Sequence, residues 1–178
     1  MPSKIYLSIG VNCGPRIYIK STLQLTKEKG YKSCPFDLCI TSYAALYECL
    51  KTDFKYFFDD LHLIPWENAP GDRSLCGKGG YNIMNKYGIN FNHEGSTHSH
   101  MFNEGKNDDE FYIRNDFQEF RKRYQIRVKN WFDYIEQNDE IILVHGLHKV
   151  FKGEGSLQAI CDLLKGKYPK KIFRYLEI

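Results

Sequence analysis

A chain of 178 residues with 42% hydrophobic side chains can bury a full-sized core but is short for two, so one domain spanning 1–178 is expected. Its formal charge of +3, from 25 basic and 22 acidic side chains dispersed along the chain, argues against nucleic acid or an anionic membrane as partner. The six cysteines are irregularly spaced and form no CxxC pair, no signal-like leader precedes them, and no apolar run approaches the roughly 18 residues of a membrane span. The expectation is a soluble, intracellular (cytoplasmic) protein with free thiols.

Residues 4–9 are nearly all apolar or β-forming, as in a strand buried on both faces. Gly10-Val11-Asn12-Cys13-Gly14-Pro15 reads as the turn that hands this strand to a helix over Arg16–Lys29, with Gly30 as its C-cap. Pro35 biases Cys34 toward extended backbone, which places Phe36-Asp37 on a loop or short strand. Thr41-Ser42 cap a helix through Leu50, and the aromatic run Asp53–Leu61 suits one or two further helical turns. The breakers Pro65, Pro70, Gly71, Gly77, Gly79 and Gly80 predict a long surface loop over 64–80.

Tyr81–Gly88 suits a short helix, Ile89–His93 alternates as a half-buried strand does, and Glu94–Glu110 reads as a second loop. Phe117, Phe120, Tyr124, Val128, Trp131 and Ile135 recur every three or four residues and predict a helix from about Phe117 to Gln137, with Asp116 as N-cap. Ile141–His145 is the clearest buried strand, Ser156–Lys165 a helix closing at Gly166, and Ile172–Leu176 a last strand. Strands alternating with helices predict an α/β fold, with a mostly parallel sheet flanked by helices on both faces.

Cys13 is the residue framed most like a reactive group. At a strand-to-helix junction, a thiol lies beside the positive end of the helix dipole, which favours the thiolate, and free amides around Gly14 could hold an oxyanion. The competing reading is a small packing residue, as most buried cysteines are. A nucleophilic thiol needs a base, and both His93 and His145 end predicted strands where a parallel sheet would also put Cys13. Asp37, held between apolar neighbours, needs a partner such as a cap, an arginine or an imidazole. Asn12 either donates to an oxyanion or stabilises the turn. Arg127, beside Val128 and Trp131, would need a carboxylate if buried. His93, His98 and His100 match no specific metal-ligand spacing, so the reading includes no metal and no cofactor.

In order along the chain, Ser8–Cys13, Pro35-Phe36-Asp37, Asp53–Phe58, Tyr87–His93, Arg127–Phe132 and Ile141–Val144 together resemble a family described as papain-like cysteine peptidases. The resemblance covers roughly residues 5–145. It implies a Cys-His-Asp constellation at Cys13, His93 and Asp37, and it favours His93 over His145 as the base. Two positions depart from the family pattern. Leu38 stands where an aromatic usually follows the aspartate, and Glu94 where an aspartate commonly follows the histidine. The implied activity is hydrolysis or transfer at an amide, ester or thioester carbonyl, with a peptide, protein or small acyl substrate. The alternative is a non-catalytic α/β module that binds a small polar or glycan-like ligand.

Overall fold

Lys4–Ser8 forms β1, and its partner is the most apolar run of the chain, Glu140–His145 (β5), which is buried from Ile141 onward. The computed structural model describes residues 3–10, 12–65, 80–95, 109–146 and 155–178. Within it β5 is the central strand of a three-stranded sheet. Ser8 registers with Val144 on one side, and Val144 with Leu176 of β6 (Ile172–Glu177) on the other, both parallel. Alternation along β5 separates two clusters: Ile141 and Leu143 join the main core, while Val144 packs with Ile19 and Tyr31.

A second three-stranded sheet is antiparallel, with β3 (Tyr81–Met84) between β2 (His62–Pro65) and β4 (Asn90–Phe91). The helices are α1 (Gly14–Ser21), α2 (Tyr43–Lys51), α3 (Asp109–Gln137) and α4 (Leu157–Lys167). Ser42 and Ser156 cap α2 and α4, their Oγ atoms accepting from Ala45 N and Ala159 N at 3.2 and 3.1 Å.

The apolar stripe of α3 ties the parts together. Phe91 of β4 lies 4.8 Å, ring centroid to ring centroid, from both Phe120 and Tyr124, and Phe36 lies 5.5 Å from Trp131. Each fully buried ring of this kind contributes about 1.5–3 kcal/mol. The loop that carries Asp37 and the strand that precedes His93 are therefore seated on one helix.

The chain is thus mixed α/β, but the single, mostly parallel sheet expected from the pattern is divided into a parallel and an antiparallel one. The short helix expected over Tyr81–Gly88 is instead β3 followed by a turn, because its backbone pairs on both sides, with β2 and with β4. Pro65, read as a loop breaker, ends β2, an edge strand where a missing N–H is tolerated. The helix expected over Arg16–Lys29 stops at Ser21. Gln24 takes a positive φ of 56°, Arg16 Nη1 donates to Leu25 O, and Gly30 (φ 88°) closes the Thr26–Tyr31 turn rather than the helix.

The run after α2 forms turns with positive φ at Asp53, Phe54 and Asp60 rather than helix. Gly166 lies inside α4, and His93 lies in a turn two residues past β4. The α3 helix is interrupted at Arg114–Phe117, close to the start predicted at Phe117. Residues 66–79 and 96–108 of the two expected loops, with Cys76, His98 and His100, lie outside the described residues.

Candidate active site

Cys13 is the N-cap of α1: its carbonyl accepts from Ile17 N at 3.0 Å, and Pro15 follows in the first turn. Among the described residues it is the only cysteine not buried. Burial pushes the thiols of Cys34, Cys39 and Cys49 well above the ordinary range. Asn12 Oδ1 accepts from Gly14 N at 2.7 Å, so that amide and that oxygen satisfy each other and hold the turn. A side chain at position 14 would meet Asn12 Oδ1 at 2.8 Å.

The backbone carries the other motifs to this turn. Gly10 (φ 82°) lies so close to Thr41 that a Cβ there would stand 2.6 Å from Thr41 Cγ2 and 3.6 Å from Cys39 Sγ. The next residue along, Ile40, pairs with Asn90 across an antiparallel bridge. The Asp37 loop is therefore wedged between the end of β1 and β4, and the turn bearing His93 follows directly. From the other side, Gly146 approaches Asn12 and Pro15, where its Cβ would lie 3.5 Å from Asn12 Oδ1 and 3.4 Å from Pro15 Cδ. These contacts bring the Cys13 turn, the Asp37 loop and the segment that follows His145 together at the C-terminal ends of β1 and β5, with His93 three residues beyond the bridged Asn90.

The side chains are committed differently. The Asp37 carboxylate accepts from Tyr31 Oη at 3.2 Å and from Cys34 N at 3.0 Å, and Arg16 Nε stands 3.7 Å away. Burial raises its pKa to about 6 against the pull of these donors and of the Arg16 and Arg127 charges. His145 is buried and stacks on Tyr43 with ring centroids 4.9 Å apart. Neither of its ring nitrogens has a hydrogen-bond partner among the described residues, and desolvation lowers its pKa to about 4.

His93 is half-buried, in a turn closed by Glu94 N donating to Phe91 O at 2.8 Å. Glu94 itself is fully buried. It is clamped by Arg123 Nη2, with Arg127 Nη1 3.7 Å from its other oxygen.

The sequence reading missed Arg16, Tyr31 and the Glu94–Arg123 pair. A signal for Arg16 existed: a cation in the first turn of a helix opposes the dipole and implies a tertiary partner, here Asp37. Arg123 and Arg127 are four apart on a helix, which puts two cations on one face and calls for a shared carboxylate. Among the described residues no group of three or more His, Cys, Asp or Glu side chains is placed to hold a metal ion, and no helix is long and apolar enough to cross a membrane. No family model, curated protein or solved structure matches the chain.

Proposed function

We propose that the protein is a cysteine-dependent hydrolase or acyl-transfer enzyme with Cys13 as nucleophile. The observation that carries this reading is the contrast among thiols: Cys13 alone among the described cysteines is solvent-accessible, and it sits at the start of a helix on the edge of a parallel sheet. In this mechanism Cys13 Sγ attacks the carbonyl of an amide, ester or thioester, and His93 takes the thiol proton and returns it to the leaving group. Water then releases the acyl group from the thioester, with His93 again as base. With Oδ1 of Asn12 turned to Gly14 N, its Nδ2 is the donor offered to the oxyanion. Asp37 is a positioning residue in this scheme, holding through Tyr31 Oη and Cys34 N the loop seated against Gly10. The ordered motifs resembling the papain-like peptidase family support the same assignment.

One observation favours a non-catalytic binding module instead. The partners of the Asp37 oxygens are a phenol, an amide and a guanidinium, a set suited to a fixed charge lattice.

The two readings separate in one experiment: iodoacetamide labelling at pH 7 with peptide mapping, which distinguishes Cys13 from Cys76, beside turnover of fluorogenic acyl substrates. The enzyme reading expects Cys13 to label several-fold faster than a model thiol and Cys13→Ser to abolish turnover. Labelling no faster than the model thiol, or turnover surviving Cys13→Ser, overturns it.

A further inference from the structure

On the α1 side of the Asp37 loop lies a cavity of about 460 Å³, large enough for a small organic molecule. Its charge balance is unusual for a partly buried space. Arg16, Lys20, Lys27 and Arg127 line it against two carboxylates, Asp37 and Glu28.

The two guanidiniums are well sheltered, with side chains only 11% and 12% exposed. Each lies over a tyrosine ring, Arg16 at 3.9 Å from the centroid of Tyr31 and Arg127 at 4.4 Å from that of Tyr124. Stacking fixes the plane of a guanidinium while leaving its N–H edge free to bind.

The pairing of these two cations is incomplete. Arg16 faces Asp37, and Arg127 faces Glu94, each at 3.7 Å, beyond hydrogen-bond reach. Asp37 has turned its oxygens to Tyr31 and Cys34, and Arg123 takes Glu94 Oε2, leaving Oε1, itself without a hydrogen bond among the described residues, to face Arg127. Arg16 spends Nη1 on Leu25 O, while Arg127 Nη1 is buried with no hydrogen-bond partner among the described residues. With neither carboxylate within hydrogen-bond reach of these cations, an anion in the cavity that Arg16 and Arg127 line would add direct hydrogen bonds that they lack.

We propose that this cavity binds the oxyanion head group, a phosphate or a carboxylate, of a small organic molecule between Arg16 and Arg127, with Lys20 and Lys27 at its rim. A planar N–H fork suits either anion. The cavity volume exceeds that of a lone oxyanion, so the rest of the ligand has room beside it. The binding does not require Cys13 to be a nucleophile, and its failure would leave the thiol chemistry untouched.

The test is a titration of the full chain, at fixed ionic strength, with inorganic phosphate in one arm and acetate in the other, read by NMR shifts of the Arg16 and Arg127 side-chain N–H groups. A saturable shift is expected in at least one arm, and the tighter arm identifies the head group. Lys20 and Lys27 are exposed, so Lys20→Gln/Lys27→Gln keeps the fold and should weaken binding about tenfold. No saturable shift in either arm up to about 20 mM, or unchanged affinity in the double variant, overturns the proposal.

Discussion

His145 and His93 stand at comparable places, one ending a strand of the parallel sheet and the other just past a strand of the antiparallel sheet, yet their surroundings are opposite in kind. His145 is enclosed by β5, β6 and the ring of Tyr43, and burial keeps it neutral. His93 is half-buried and immediately precedes Glu94, whose buried carboxylate meets Arg123 and Arg127. The parallel edge is closed by apolar packing from α2, whereas the antiparallel turn is docked onto a cationic face of α3. An imidazole buried without partners suits packing, while proton transfer, the role proposed for His93, needs a ring that solvent and substrate can reach.

The sharpest way to break this comparison is to remove each ring. With Cys13 as nucleophile, His93→Ala should lower acyl turnover about 100- to 10,000-fold, while His145→Phe should leave it within a few-fold. Steady-state kinetics on the two variants decide, and the reverse pattern would move the base to the parallel sheet.

The next largest effect falls on the charged side. Glu94→Gln leaves Arg123 and Arg127 without their buried carboxylate and should cost about 3–5 kcal/mol, read as a lower midpoint in urea unfolding. A shift no larger than that of a surface substitution would show the cluster to be solvated.

Smaller, but distinctive in sign, is the dependence on pH. His145 falls from 6.5 to about 4 on folding, so between these values the unfolded chain holds the extra proton and stability rises with pH. Asp37 rises from 3.8 to about 6, so over most of the same window the folded chain holds the extra proton and stability falls with pH. The two slopes oppose each other. Thermal unfolding from pH 4 to 6 should therefore show stability falling with pH in His145→Phe and rising in Asp37→Asn. Parallel profiles for the two variants would refute both assignments.

The mildest test loosens the ring under His145 without touching it. Ser42→Ala removes the cap beside Tyr43 and should cost about 1 kcal/mol, leaving turnover unchanged.

Much of this architecture could be read from the chain. The β5 run, the Ser42 cap, the helix beginning at Ser156 and the stripe of α3 follow from local rules, and the structure places them within a residue or two of expectation. What escaped is non-local. Tyr81–Met84 is a strand because of what pairs with it on both sides, not because of its own pattern. The site shows the same division. Cys13 at a helix start was legible from Gly14 and Pro15, whereas the commitment of Asp37 to Tyr31 and the Cys34 amide depends on a turn at Gln24 that no periodicity announces.

The bridge between Ile40 and Asn90 has a kinetic consequence. Its two hydrogen bonds, Ile40 N to Asn90 O at 2.7 Å and Asn90 N to Ile40 O at 2.9 Å, join the loop behind Cys13 to the antiparallel sheet, and both residues are buried. These two amides report on whether the molecule opens in pieces or as a whole. If the antiparallel sheet separates from the Cys13 loop as a unit, both should exchange with solvent deuterium at one common rate, faster than the amides of β5. If opening requires the whole core to come apart, they should be as slow as Leu143.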